Sequence, residues 1–178
     1  MQRIYLIGYM GAGKTTLGRA LAEVMGLQFV DLDDFIEHRF HKTIREIFAD
    51  SGEAGFRDIE RNLLREVSTF EDVIISLGGG TPCFFDNMEV VKRTGKSVYL
   101  KPTEEVLLFR LVKGKRKRPL LADKDEVGIL QAIREQLVQR EPFYAQADIT
   151  FDASRLENKA NIRTSAEQLA HLLAELQN

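Results

Sequence analysis

"IYLIGYMGAGKTTLGRALAEVM", residues 4–25, joins an apolar run, a glycine-rich turn and an apolar repeat of helical spacing in that order. Ile4, Tyr5, Leu6 and Ile7 read as a short strand, because an unbroken apolar run suits a strand covered on both faces. Leu17, Ala20, Leu21, Val24 and Met25 recur at three to four residues and read as one face of a helix. Between them "GYMGAGKT", residues 8–15, matches G-x-x-x-x-G-K-[ST] in the strand-then-helix context that this pattern requires. Gly8, Gly11 and Gly13 let the backbone wrap so that successive N–H groups converge on phosphate oxygens, and the helix N-terminus adds partial positive charge. Gly11, Ala12, Gly13, Lys14, Thr15 and Thr16 are therefore the expected ATP-phosphate set. Lys14 is placed to bridge the β and γ phosphates, and the Thr15 hydroxyl is a ligand for Mg²⁺.

Outward from this stretch, apolar runs rich in Ile, Val and Tyr lie at 73–75, 98–100 and 149–151, with a weaker one at 29–30. Helical periods separate them, among them Leu130, Ile133, Leu137 and later Ala166, Leu169, Ala170, Leu173, Leu176. Strands that alternate with helices predict an α/β fold, a parallel sheet with helices on both faces, since parallel neighbours need crossover connections. Two polar excursions, about 33–65 and about 113–126, read as insertions at the rim of that sheet. At 178 residues, 44% of them hydrophobic, the chain suits one domain, residues 1–178. A net charge of -2 offers no general attraction to nucleic acid or membrane. A lone Cys83 forms no internal disulfide, and the short N-terminal apolar run is no signal peptide, so a soluble cytoplasmic protein is expected.

The phosphate acceptor has to be read from other residues. Asp31 and Asp33, in "FVDLDD", point the same way if the segment stays extended, which sets one for a metal-bound water and the other for an acceptor hydroxyl. The alternative is that one of the pair caps the helix starting near Phe35, a common role for Asp, whereas capping by Asp34 would leave both free for chemistry. Arg57 stands one helical turn before Glu60, whose carboxylate can orient the guanidinium. The glycines of "SLGGGT", residues 76–81, mark either a loop or a place where a ligand meets bare backbone.

Together "GYMGAGKTT", "DLD", "GEAGFRDIE", "SLGGG", "RPLL" at 118–121 and "REPFY" at 140–144 resemble the shikimate kinases in order and spacing. The resemblance runs from Ile4 to about Phe151. It implies the three-layer P-loop kinase fold of nucleoside monophosphate kinases, with a five-stranded parallel sheet, a substrate-binding subdomain at about 33–65 and a lid at about 113–126. It further implies ATP-dependent phosphorylation of the 3-hydroxyl of shikimate, on the route to chorismate and the aromatic amino acids. Arg57 and Arg140 match carboxylate-binding positions, Asp33 the residue at the ring hydroxyls, and Gly79 the amide that meets substrate. Gly78 and Gly80 then have to stay bare to leave room for the ring. Arg118 matches the lid arginine that reaches the transferring phosphoryl, and Thr15 with Asp31 would serve Mg²⁺. Many members place an adenine-packing Arg seven residues before the lid arginine, where this chain has Leu111 with Arg110 beside it. Arg155 is assigned to the other side of the base. ATP, ADP and shikimate are the expected partners of a monomer, with no nucleic acid and no membrane. Two other readings stand beside this one: a kinase of gluconate or a nucleoside monophosphate, and a nucleic-acid-binding regulator acting through the basic run at 113–118.

Overall fold

The computed structural model describes residues 2–114 and 125–176. Strand β1 (Arg3–Ile7) leads through the glycine loop into helix α1 (Lys14–Met25), and β2 (Gln28–Asp31) follows. Helices α2 (Leu32–Phe40) and α3 (Ile44–Val67) come before β3 (Val73–Ser76). A 3-10 turn at Thr81–Cys83 and α4 (Asn87–Thr94) connect to β4 (Lys96–Leu100). Helices α5 (Glu104–Lys113) and α6 (Glu126–Tyr144), strand β5 (Ile149–Phe151) and α7 (Lys159–Glu175) complete the order.

The five strands form one sheet in the order β2-β3-β1-β4-β5, every adjacent pair parallel. Central β1 shows why an unbroken apolar run was needed. Ile4 and Leu6 enter a core with α1, α5 and α7, while Tyr5 and Ile7 enter a second core with α2, α3 and α4. Because side chains alternate across a strand, both faces of β1 are dry only if every residue is apolar. All strands run the same way, so the loops after β1, β2 and β3 open on one edge of the sheet. In open α/β sheets, ligands collect at that edge.

Two helix starts shape that edge. Helix α1 begins at Gly13, whose φ of 99° lies in the left-handed region, and no side chain caps the helix. A Cβ there would lie 2.4 Å from Leu156 Cδ1, the movable end of a side chain, so it is the left-handed conformation that requires glycine. Helix α3 opens with a reciprocal capping box between Thr43 and Glu46, then breaks at Gly52 (φ 67°, ψ -179°). The break re-aims its second half, which carries Arg57 and Glu60.

Candidate active site

The glycine loop between β1 and α1 is closed from below by its own lysine. Lys14 Nζ donates to the carbonyls of Gly8 (2.8 Å) and Tyr9 (3.0 Å), which holds the ammonium over the loop. Beside it lies a cavity of about 380 Å³ lined by Gly11, Gly13, Lys14, Thr15, Thr16, Arg110 and Leu156. Arg110 fixes the far wall: its guanidinium donates to the carbonyls of Gly11 (3.3 Å) and Ala12 (3.2 Å), and to those of Ala153 (2.8 Å) and Ser154 (3.1 Å). It thereby ties the loop to the segment after β5. Leu111 faces inward, fully buried, and packs under Gly11. An arginine at 111 would have to be buried in the core, so the outward position belongs to residue 110. Arg155 is exposed next to this cavity, and its neighbour Leu156 lines it.

At the adjoining end of β3, three glycines meet three charged side chains. A Cβ on Gly78 would stand 3.0 Å from Asp33 Oδ1, one on Gly79 would stand 3.1 Å from Arg140 Nη1, and one on Gly80 would stand 2.8 Å from Arg57 Nη2. The Gly79 position also approaches the glycine loop, 3.4 Å from Met10 N and 3.5 Å from Gly8 O. The glycine loop after β1 and the glycines after β3 are thus directly adjacent.

Each of the three charged groups is held. Arg57, with only 13% of its side chain exposed, donates to Glu60 Oε2 (2.8 Å) and stacks on Phe84 with 3.9 Å from Cζ to the ring centroid. Glu60 is buried and accepts a second bond from Thr81 Oγ1 (2.6 Å), so both its oxygens are hydrogen-bonded. Arg140 projects from the end of α6 over the Tyr9 ring, 5.5 Å from its centroid. Asp33 sits largely buried, with Asp31 and Glu60 near enough to oppose its ionisation. Burial first and those two carboxylates next push its pKa up to about 6, against the pull of Lys14.

Thr15 Oγ1 donates to Asp31 Oδ2 at 2.8 Å, which sets two hard oxygens side by side at the mouth of the glycine loop. Among the described residues no group of three or more His, Cys, Asp or Glu side chains converges to hold a metal. That donor set fits a cation that takes few protein oxygens and arrives with phosphate and water, as Mg²⁺ does.

Comparison with known proteins fits this geometry. A sequence model described as Shikimate kinase matches residues 10–174. The chain belongs to the shikimate kinase family. The shikimate kinases of Bacteroides thetaiotaomicron and Phocaeicola vulgatus are 51% and 53% identical to it, over 97% and 95% of this chain and 99% and 97% of theirs. The crystal structure of the B. thetaiotaomicron shikimate kinase is similar with a TM-score of 0.94 at 51% identity, covering 97% of this chain and 98% of that one. A shikimate kinase from Acinetobacter baumannii in complex with shikimate reaches a TM-score of 0.85 at 36% identity, over 98% of this chain and 94% of the other. The P-loop kinase fold expected from the motifs is the fold observed.

Several local expectations change. Asp31 and Asp33 do not share an extended strand: β2 stops at Asp31, α2 starts at Leu32, and Asp33 lies in its first turn. The cap is Asp31, whose Oδ1 accepts from Asp33 N at 3.1 Å, and not Asp34, which is exposed. The two carboxylates converge because one folds back as a cap, not because they alternate. The triple glycine, read as room for a ligand, is first of all room for Asp33, Arg140 and Arg57. Arg57 is largely buried, whereas Arg61 pairs with Asp86 at the surface. Sequence reasoning misses Phe84, Thr81 and Tyr9 as wall residues; Phe84 carries only the weak signal of an aromatic following the glycines. Arg118 and most of the expected lid lie outside the described residues.

Proposed function

We propose that the protein transfers the γ-phosphoryl group of ATP to the 3-hydroxyl of shikimate, as a monomeric cytoplasmic kinase of the route to chorismate, assisted by Mg²⁺. The observation that carries this reading is the contact of a P-loop with one carboxylate and two guanidiniums gathered at three glycines. Shikimate has one carboxylate and three ring hydroxyls, and a pair of rigid guanidinium forks suits capture of that acid. Arg57 and Arg140 would take the carboxylate, which leaves the ring hydroxyls toward Asp33 and the glycine loop.

Asp33 would accept a hydrogen bond from the attacking hydroxyl, aim its lone pair at phosphorus and take the proton late. A carboxylate with a pKa near 6 is ionised at neutral pH yet more basic than an exposed one, which suits that task. Lys14 would move its ammonium from the Gly8 and Tyr9 carbonyls toward the β and γ phosphates, while the uncapped first turn of α1 donates N–H groups to the same oxygens. Thr15 and Asp31 would hold the metal, which when bound spreads the phosphate charge. Arg118, outside the described residues, is assigned to the transferring phosphoryl group. Arg110 and Leu156 would line the nucleoside side, with Arg155 at its exposed rim.

An ADP-release assay with shikimate, gluconate and AMP as acceptors tests the reading. Turnover is expected with shikimate alone; equal or faster turnover with either rival would overturn the acceptor assignment. Salt-dependent binding of a nonspecific oligonucleotide would instead favour a role for the basic run at 113–118 in nucleic-acid binding.

A further inference from the structure

Tyr144 is fully buried at the end of α6, its ring against Tyr99 with centroids 5.0 Å apart. Its hydroxyl reaches out of the core and donates to the carbonyl of Gly79 at 2.5 Å. Burial pushes the phenol's pKa up, with the nearby Arg140 charge opposing, so the hydroxyl keeps its proton and remains a donor at any physiological pH. Among the described residues no peptide bond is cis. Fixing the Gly79 carbonyl therefore fixes the Gly80 N–H of the same planar unit, which must point away from Tyr144. Within the described residues neither the Gly79 nor the Gly80 N–H donates to a protein acceptor. Gly79 is partly exposed but Gly80 is buried, and a buried amide rarely stays unpaired, so the Gly80 N–H awaits an acceptor from outside the chain.

We propose that Tyr144 is a positioning residue for the acceptor acid: its hydroxyl locks the 79–80 peptide and, one turn of α6 from Arg140, sets that peptide and the Arg140 guanidinium in register. The proposal rests on the reading that this loop faces shikimate. Three glycines in a row have no side chains of their own to hold an orientation, and a free loop would lose conformational entropy on each binding event. A buried phenol on a helix supplies the missing restraint.

Tyr144→Phe keeps the ring and removes the donor. The expected result is a fivefold to twentyfold rise in KM for shikimate, about the loss of one buried hydrogen bond, with kcat within twofold, KM for ATP unchanged and the melting temperature nearly retained. An unchanged KM for shikimate overturns the proposal. So does a parallel rise in both KM values with a large fall in melting temperature, which would mark Tyr144 as packing only. Should the variant fail to fold, the wild type decides: shikimate added alone should move the Gly79 and Gly80 amide resonances, and resonances that stay put under saturation overturn it. A wild type that turns over no shikimate defeats the proposed function itself, whereas an active wild type with an indifferent Phe variant defeats only the role of Tyr144.

Discussion

Asp33 combines two demands that pull against each other. The role proposed for it calls for an ionised carboxylate, and its surroundings, a largely buried site with Asp31 and Glu60 nearby, resist ionisation. Asp33→Asn should therefore lower kcat by about a hundredfold or more, since the amide keeps the shape but neither orients nor deprotonates the hydroxyl. The same substitution should stabilise the fold. With a folded pKa of about 6 against about 4 in the unfolded chain, protonation of Asp33 favours folding below pH 4, and that contribution is lost as pH rises through 6. Replacing the group should then raise stability at pH 7.5 by about 1–3 kcal/mol and leave it unchanged at pH 4. Chemical denaturation at the two pH values measures this, and an Asn variant less stable at pH 7.5 would refute the account of the pKa. In the wild type, kcat/KM should fall as pH drops through about 6; a limb centred well below 5 would show that Asp33 titrates as an ordinary exposed acid.

Helix α3 shows how an element can aim a site. Its Gly52 occupies a backbone region that other residues enter only with strain, and a Cβ there would meet nothing within 4 Å. The constraint is the dihedral pair alone. Gly52→Ala should destabilise the protein by about 1–3 kcal/mol and raise KM for shikimate, because the half-helix beyond the break carries Arg57 and Glu60. Urea denaturation together with steady-state kinetics tests both parts. An alanine variant as stable as the parent, with the same KM, would mean that α3 finds its kink elsewhere. Helix α2 makes a related point: its capping residue Asp31 also accepts from Thr15, so the start of a helix and the oxygens proposed to hold the metal share one carboxylate.

Across the whole molecule, the candidate site occupies the carboxyl edge of the sheet, where the two cores separated by β1 both contribute: Leu111 supports the proposed nucleotide side and Tyr144 the proposed acceptor side. Neither core alone could bring Lys14 next to Asp33. In the proposed mechanism, transfer also draws on charge from the basic excursion at 113–126. If Arg118 meets the phosphoryl group as its bond to the β phosphate breaks, Arg118→Ala should cut kcat by roughly a thousandfold while altering substrate binding much less. Lys115→Ala should change little. Both substitutions remove one positive charge from the same stretch, so similar losses in the two, erased by added salt, would show a diffuse electrostatic role.

What the sequence determined by itself is local. The P-loop, the strand runs, the helical periods and the Arg57–Glu60 pair each depend on residues within one or two turns of one another, and their spacing shows in the chain. Motif order added the family and hence the acceptor. Only the tertiary structure decided which side chain each glycine of 78–80 admits, that Arg110 and not position 111 faces the cavity beside the P-loop, that Asp31 turns back as a cap, and that Tyr144 reaches the Gly79 carbonyl. These facts depend on contacts between segments far apart in sequence. They are set by how helices pack on the two faces of the sheet, to tolerances of a few tenths of an ångström that no spacing rule contains.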